Sequence, residues 1–479
     1  MRSASIEERV RDYIEAERVQ VPVPARLAPR IPHAIDATRP APRHSSFAFV
    51  PVAAAIVVLL FLAIGVAWVR TAHMPASVES GTWSPAPAMP VGRGFHTATL
   101  LPNGKLLVVG GNQTFRALPA SAELYDPGTR MWSSAGMLST PRSLHTATLL
   151  KNGKVLVGGG SQVDSFSLGS LASAELYDPQ TNSWALAANM HTPRSYHTAT
   201  LLADGRVLVV GGIEASNDVT GKVLATAELY DPDTNTWTTA APMRAARARH
   251  AAILLADQRV LVIGGNDVAY SAFSNYFATA ELYDPSRQSW SPAGSMNYAR
   301  TFATATVLPD GRVLVVGDAG VNERTAEIFD PRNERWSLAP APGVARAEHV
   351  AVRLRNGAVL VAGGIGETSA ELFDWSRNAW SNAGAMAVIR ADATATVLDN
   401  GQVLVTGGFG SGRTAWASAE RYDPLGSHVA RVARATSTAL SAGWVAPLLA
   451  VIAALLALGL WSTGRRRDRR SREGVAWVD

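Results

Sequence analysis

The sequence predicts an all-β fold: seven four-stranded units closed into a ring, with a transmembrane α-helix on either side. Three observations predict it. A seven-fold internal repeat runs from residue 80 to about 424, a Trp of that repeat stands displaced at position 83, and two long charge-free apolar segments lie outside it.

The apolar segments are residues 47 to 69, with 23 residues and no charge, and residues 442 to 462, with 21. Each reaches the ~20 residues that span a ~30 Å hydrocarbon core. The first starts too far into the chain, and runs too long, to read as a cleavable signal peptide. The second is followed by RRRDRRSR at 465 to 472, which marks the cytoplasmic side. Two spans with an inside C-terminus put both termini in the cytoplasm and residues 70 to 441 outside. The net charge of +5 owes much to that basic tail, 463 to 479. The tail serves topology and anionic lipid contact, with no nucleic-acid partner expected. Lys occurs only at 105, 151, 154 and 222 among 44 basic residues, and with abundant Ala this points to a GC-rich bacterial source. The expected location is a bacterial plasma membrane. The chain has no Cys, so the exported part is held by its core, without a disulfide, a thiol nucleophile or a Cys-ligated zinc.

Between the spans, a linker at 70 to 80 leads into the repeat domain, 81 to 426, and a second linker, 427 to 441, leaves it. Each repeat divides into four strands. HTATLL alternates and forms the first. KLLVVGG is a continuous apolar run, hence buried on both faces. SAELYDP forms the third and RMWSSAG the fourth. The first two strands are joined by PNGK, KNGK, ADGR, PDGR, RNGA and DNGQ, whose Asn-Gly and Asp-Gly pairs supply the positive φ of tight hairpins. One copy departs, ADQR at 256 to 259. A Gly pair ends the second strand, as at Gly110-Gly111 and Gly211-Gly212, where the chain bends sharply and backbones approach closely. In the fifth copy the pair is Gly317-Asp318. The YDP motif closes the third strand, Asp bonding the turn and Pro fixing φ.

A Gly pair, a Tyr and a Trp at fixed offsets, returning every 44 to 53 residues, resemble the kelch-repeat family. The resemblance implies a seven-bladed kelch-type β-propeller, four strands per blade. The fourth-strand Trp follows a YDP-type turn at Trp132, Trp184, Trp237, Trp290, Trp336 and Trp380, so the seventh blade lacks its outer strand. Trp83 is expected to supply it from the other end of the domain, closing the ring and covering a sheet edge. The alternative outer strand is HVARV, residues 428 to 432.

If the inner strand runs from top to bottom, the NG and YDP turns lie at the bottom and the variable stretches at the top. Those stretches hold 9, 12, 13, 13, 6, 4 and 9 residues. Variable loops on a rigid scaffold are where function usually sits. Both membrane spans then attach to one blade from below, and the top looks away from the bilayer.

Three features of the top bear on ligands. An Arg enters every inner strand: Arg93, Arg142, Arg194, Arg247, Arg300, Arg346 and Arg390. Seven such charges near a channel would attract an anionic ligand. In kelch domains that take acidic peptides, the resemblance implies a contribution from this position. The alternative is that each pairs with a repeat carboxylate such as Glu123 or Glu175. Three residues on stand His96, His145, His197, His250 and His349, with Ala303 and Ala393 in the other two copies. Their recurrence at the blade period reads as packing, with no metal site expected. The fourth blade's loop carries Tyr270, Phe273, Tyr276 and Phe277, which would stack on sugar or anchor a protein, or pack on one another.

Some kelch propellers are galactose-oxidase-like copper radical enzymes whose cofactor needs a Tyr crosslinked to Cys. Without Cys that chemistry fails, and no cofactor is expected. The chain also lacks G-x-S-x-G, H-E-x-x-H and a phosphate loop. The expected function is a membrane-anchored, extracytoplasmic binding module for protein or glycan. The alternatives are an exported carbohydrate-active enzyme using two carboxylates, and a sensor signalling through the cytoplasmic segment, 1 to 46. There residues 5 to 19 form an amphipathic helix with a Ser5–Glu8 capping box, able to dock a cytoplasmic partner.

Overall fold

A computed structural model describes residues 81–424, except 115–117, 163–168, 216–220, 270–274, 318–322 and 413. Seven four-stranded antiparallel sheets stand in sequence order. Blade 1 is Thr97–Leu100, Leu106–Val109, Ser121–Asp126 and Met131–Met137, and the others repeat it. Both expected spans, the helix over 5 to 19 and the HVARV segment lie outside the described residues. Among the described residues, no helix is long and apolar enough to cross a membrane.

The second strand of every blade is buried throughout, as its unbroken apolar run requires. Alternate residues face opposite neighbours. Leu107 and Val109 pack with Val155 and Val157 of blade 2, whereas Leu106 and Val108 pack with Leu404 of blade 7. The core is therefore a series of seams between blades, each made by two faces of strand residues.

Blade 7 takes its outer strand from the front of the domain. Thr82–Ala86 pairs antiparallel with Ala419–Asp423, Trp83 opposite Tyr422. Every fourth-strand Trp packs at 5.0 to 5.1 Å against the third-strand aromatic beside it. Its indole N–H donates to a backbone carbonyl at the end of the preceding blade, at 2.7 to 2.9 Å. Trp83 donates to Ala383 of blade 6, and Trp132 donates to Pro87, just past the displaced strand.

The hairpins carry the positive φ that their Asn-Gly and Asp-Gly pairs predict. Positive φ falls on the Gly alone, for example Gly104 at 77°, and not on the Asn or Asp before it. The turns are therefore not of the type needing two positive φ values, but turns closed by a single left-handed residue. Asn or Asp is there for a different bond: its Oδ1 accepts the backbone N–H two residues on in all seven blades, at 3.0 to 3.1 Å. In blade 4, Gln258 takes the left-handed position at φ 70°. The Gly pair has a steric reason. A Cβ on Gly110 would lie 2.3 Å from the Arg142 carbonyl oxygen of the next blade.

Candidate functional site: the mouth of the central channel

The site is a cavity of about 330 Å³ where the inner strands begin, at the centre of the ring. It is built from a segment repeated in all blades, the Arg-x-x-His, or Arg-x-x-Ala in blades 5 and 7, that leads into each inner strand.

The seven arginines lie beneath the mouth, none of them lining the cavity. All are buried, and each guanidinium pairs with the third-strand Glu of its own blade at 2.5 to 3.2 Å. The Nη1 of each also donates to the carbonyl of the first glycine of the pair, at 2.7 to 3.0 Å. In six blades the Glu also accepts backbone N–H groups from the incoming connection, as Glu228 does from His191 and Thr192. A buried charge needs such partners, and the Nη1 and Nη2 groups find them in every blade, whereas Nε bonds the Glu only at Arg93 and Arg390. The charge that composition offers to an anion is consumed inside the blade.

The five histidines are struts between blades. Each Nε2 bonds the first inner-strand Thr of the preceding blade: Thr97 with His145, Thr146 with His197, Thr198 with His250, Thr304 with His349, and Thr394 with His96, at 2.8 to 3.1 Å. Where the His is Ala303 or Ala393, the residue in the Thr position is Ala251 or Val350. Burial pushes His96, His197, His250 and His349 down to about 3, helped by the buried arginines nearby, and takes His145 well below the usual range as well. The rings are neutral at physiological pH. Among the described residues, no three His, Cys, Asp or Glu converge as metal ligands. With Nε2 spent on Thr and no Cys in the chain, the residues present do not fit a copper radical centre.

The residue two after the Arg lines the mouth together with the His or Ala that follows it, and sequence reasoning passed over it. The set is Phe95, Leu144, Tyr196, Arg249, Phe302, Glu348 and Asp392. All seven have left-handed φ, from 49° to 56°. Six backbone bonds join neighbours in this set into a collar, running from Leu144 N–H to Phe95 O and on around to Phe95 N–H with Asp392 O. The signal available in the sequence was the contrast between an unvarying Arg and a position near it that changes in almost every repeat.

The mouth has two chemically distinct sides. On one, Arg249 lies 4.4 Å from the Tyr196 ring and 5.5 Å from Phe302, and the two rings meet edge-on at 6.0 Å over it. Its guanidinium also donates to Ala269 O at 3.0 Å. On the other side, the Glu348 and Asp392 carboxyls are hydrogen-bonded to each other. Burial pushes Asp392 well above the usual carboxylate range, and the Glu348 charge pushes it further. Burial raises Glu348 too, against the pull of its bond to Asp392 and of Arg249. The pair as a whole therefore takes up a proton more readily than ordinary carboxyls do. Phe95 borders the pair and packs on Phe409 at 5.4 Å.

Of the fourth-blade aromatics, Tyr270 and Phe273 lie outside the described residues. Tyr276 is exposed on the same end of the ring, and Phe277 packs 5.1 Å from the Arg247 guanidinium.

Comparison with known proteins bears on the family. The model of the kelch-repeat domain of KLHDC2, KLHL20 and DRC7 matches residues 95–318. The chain is 31% identical to beta-scruin of Limulus polyphemus over 148 residues, 30% of this chain and 15% of that protein. It is 30% identical to the kelch-like protein terF of Aspergillus terreus over 148 residues, covering 29% of this chain and 31% of that one. Human kelch-like protein 23 is 31% identical over 152 residues, 31% and 25% of the two chains. The chain thus spans less than a third of each of these relatives. Among solved structures, a copper-bound fungal alcohol oxidase of the AA5 family has a similar fold, with TM-score 0.59 and 20% identity over 72% of this chain and 77% of that one. Seven copies of the Gly-pair, Tyr and Trp motif, seven four-stranded blades and the kelch-repeat match over residues 95–318 lead to one conclusion: residues 81–424 form a seven-bladed β-propeller of kelch-type repeats.

Proposed function

We propose that this propeller is a binding module anchored to the bacterial plasma membrane, whose protein or glycan ligand is taken at the channel mouth, on the face turned away from the bilayer. The observation that carries the reading is the set of seven left-handed, non-glycine residues there. Such a backbone costs a residue with a Cβ about 1–2 kcal/mol, and Gly would avoid the cost. All seven blades nonetheless keep a side chain at this position, and the side chains are aromatic, aliphatic, cationic and acidic in turn. Strain held where side chains differ, on a scaffold whose Arg and Glu do not, is the pattern of a recognition surface.

Anchoring rests on the two charge-free segments and on the ends of the domain. Thr82 and Asp423 are directly paired, so the chain enters and leaves the propeller side by side at one blade edge. The convergent carboxyl pair favours the second reading, a carbohydrate-active enzyme. Glycosidases, however, keep their two carboxyls roughly 5 Å apart or more, and Glu348 and Asp392 touch each other, so binding stands ahead. Signalling through residues 5 to 19 would be an extension of the same module.

The test is a screen of glycans and surface proteins against the full-length chain in detergent, alongside Tyr196→Ala, Phe302→Ala and Tyr276→Ala. A ligand of the mouth loses affinity with the first two substitutions and keeps it with the third. A ligand that responds only to Tyr276→Ala moves the site to the blade-4 loop.

A further inference from the structure

We infer that the seam between blades 1 and 2, beside the mouth residues Phe95 and Leu144, is a subsite for neighbouring hydroxyls of a neutral sugar, held by Asn112 and Ser143 while the sugar ring stacks on Phe95. This deepens the channel-mouth reading above and rests on it.

Polar atoms stand unspent in this seam. Asn112 is 1% exposed and Ser143 fully buried. Asn112 Oδ1, Asn112 Nδ2 and Ser143 Oγ have no hydrogen-bond partner in the protein, a state that costs stability. The two residues are neighbours. Gly111 N–H donates to Arg142 O at 2.9 Å, which sets the next residues, Asn112 and Ser143, side by side across the seam. Asn112 exchanges both backbone bonds with Gly94, the residue before Phe95, and Ser143 precedes Leu144. The collar bond from Leu144 N–H to Phe95 O, at 3.3 Å, runs beside them, and Phe95 and Leu144 both line the cavity.

The same two positions are filled differently in other seams. Ile213 packs with Ala248 between blades 3 and 4. Phe409 lies over Gly94 between blades 7 and 1, leaving no room for a Cβ there. Between blades 4 and 5, Thr301 Oγ1 is unpartnered, but Asn266 is taken: its Nδ2 donates to Val268 O at 2.8 Å and its Oδ1 accepts from Arg249. The fold therefore does not require a polar pair here. An unpaired polar pair kept where an apolar one fits points to a partner outside the fold. The chemistry of the pair selects that partner. An amide offers two N–H donors and a carbonyl acceptor, and a hydroxyl both donates and accepts. Neighbouring sugar hydroxyls match that set. The charges below are spent, Arg93 on Glu123 and Arg142 on Glu175, so an ion finds no counter-charge in the seam. The Phe95 ring supplies the apolar face on which a sugar stacks. The ligand comes from the cavity, between Phe95 and Leu144, and the half-buried Leu144 side chain turns aside to admit it.

The experiment uses the full-length chain in detergent and the methyl glycosides of glucose, galactose and mannose, each also in its monodeoxy forms, read by titration calorimetry. The double variant Asn112→Ile with Ser143→Ala transplants the apolar pair of the blade 3–4 seam. Wild type is expected to bind one of the glycosides, with one of its deoxy forms about tenfold weaker. The double variant keeps or raises the thermal midpoint, binds the parent glycoside about tenfold more weakly, and no longer distinguishes it from that deoxy form. A double variant that still distinguishes the two overturns the proposal. So does one whose midpoint drops, because the pair then serves the fold. Absence of binding of all three glycosides to a folded wild-type chain overturns it as well. Binding of N-acetylglycine methylamide in their place, lost in the double variant, gives the pair to a peptide backbone and removes the sugar. If no glycoside binds while Tyr196→Ala and Phe302→Ala still weaken a ligand from the screen, the mouth survives as the site and only the sugar subsite falls.

Discussion

Along this chain the channel histidines and their threonine partners change together, His with Thr in five seams and Ala303 with Ala251 or Ala393 with Val350 in the other two. That pairing was readable in advance, because repeats aligned on one another expose which positions vary in step. The mouth residues were not readable the same way: Phe, Tyr and Leu carry no propensity for a left-handed backbone, so nothing local announces Phe95, Leu144 or Tyr196. The neutral histidines set a direction for stability against pH. Unfolded His protonates near 6.5, whereas His96, His197, His250 and His349 hold out to about 3. Their contribution is complete above about pH 6.5 and drains away as pH falls towards 3, each group adding about 1.4 kcal/mol per pH unit to the slope. The Glu348–Asp392 pair acts in the opposite sense. Its raised proton affinity favours the fold in acid, and that benefit is lost as pH rises through the pair's titration. In urea unfolding between pH 6 and 4, His197→Asn should take up one proton fewer on unfolding than wild type. An unchanged slope would mean that this His already titrates in the fold.

The strands were the most legible elements, because their apolar runs match the burial of the second strand in every blade. The turns were legible as turns but not in mechanism. Asn-Gly and Asp-Gly announced a positive φ without placing it: Asn and Asp serve as acceptors for the N–H two residues on, and Gly is the left-handed residue. The odd copy tests this account. ADQR keeps the Asp257 bond to the Arg259 N–H but forces Gln258 to φ 70°. Gln258→Gly should therefore raise stability by about 1 kcal/mol, and Gly205→Gln, its counterpart in blade 3, should lower it by a similar amount. Urea midpoints measured on both variants check the pair of signs. If neither moves, the left-handed turn residue is not limiting.

A ring of repeats has a weak point that no single blade reveals: six blades are continuous in the chain, and the seventh is completed by a strand from the far end. Counting six Trp after YDP turns and one before any repeat located that closure in the sequence. The indole bonds show how it is locked. Trp83 reaches Ala383 in blade 6, and the strand carrying it supplies the Pro87 carbonyl end that Trp132 of blade 1 grips. The displaced strand thus touches three consecutive blades through two tryptophans. Trp83→Ala and Trp184→Ala remove equivalent packing, a loss of about 3–5 kcal/mol each. Their consequences should differ in extent. Blade 2 keeps its outer strand tethered by the 178–183 turn, so Trp184→Ala frays Ser183–Ala187 and leaves the ring shut. In the Trp83 variant no turn tethers Thr82–Ala86 to Ala419–Asp423, and the backbone pairing with the Gly81–Tyr422 and Arg421–Ser84 bonds is left to hold them, so the ring opens more readily. Hydrogen exchange should then show lost protection across Ala419–Asp423 and in the inner strands Thr97–Leu100 and Thr394–Val397, whose His96–Thr394 strut spans the same seam. Equal, strictly local loss of protection in the two variants would show that the strand pairing closes the ring without its tryptophan.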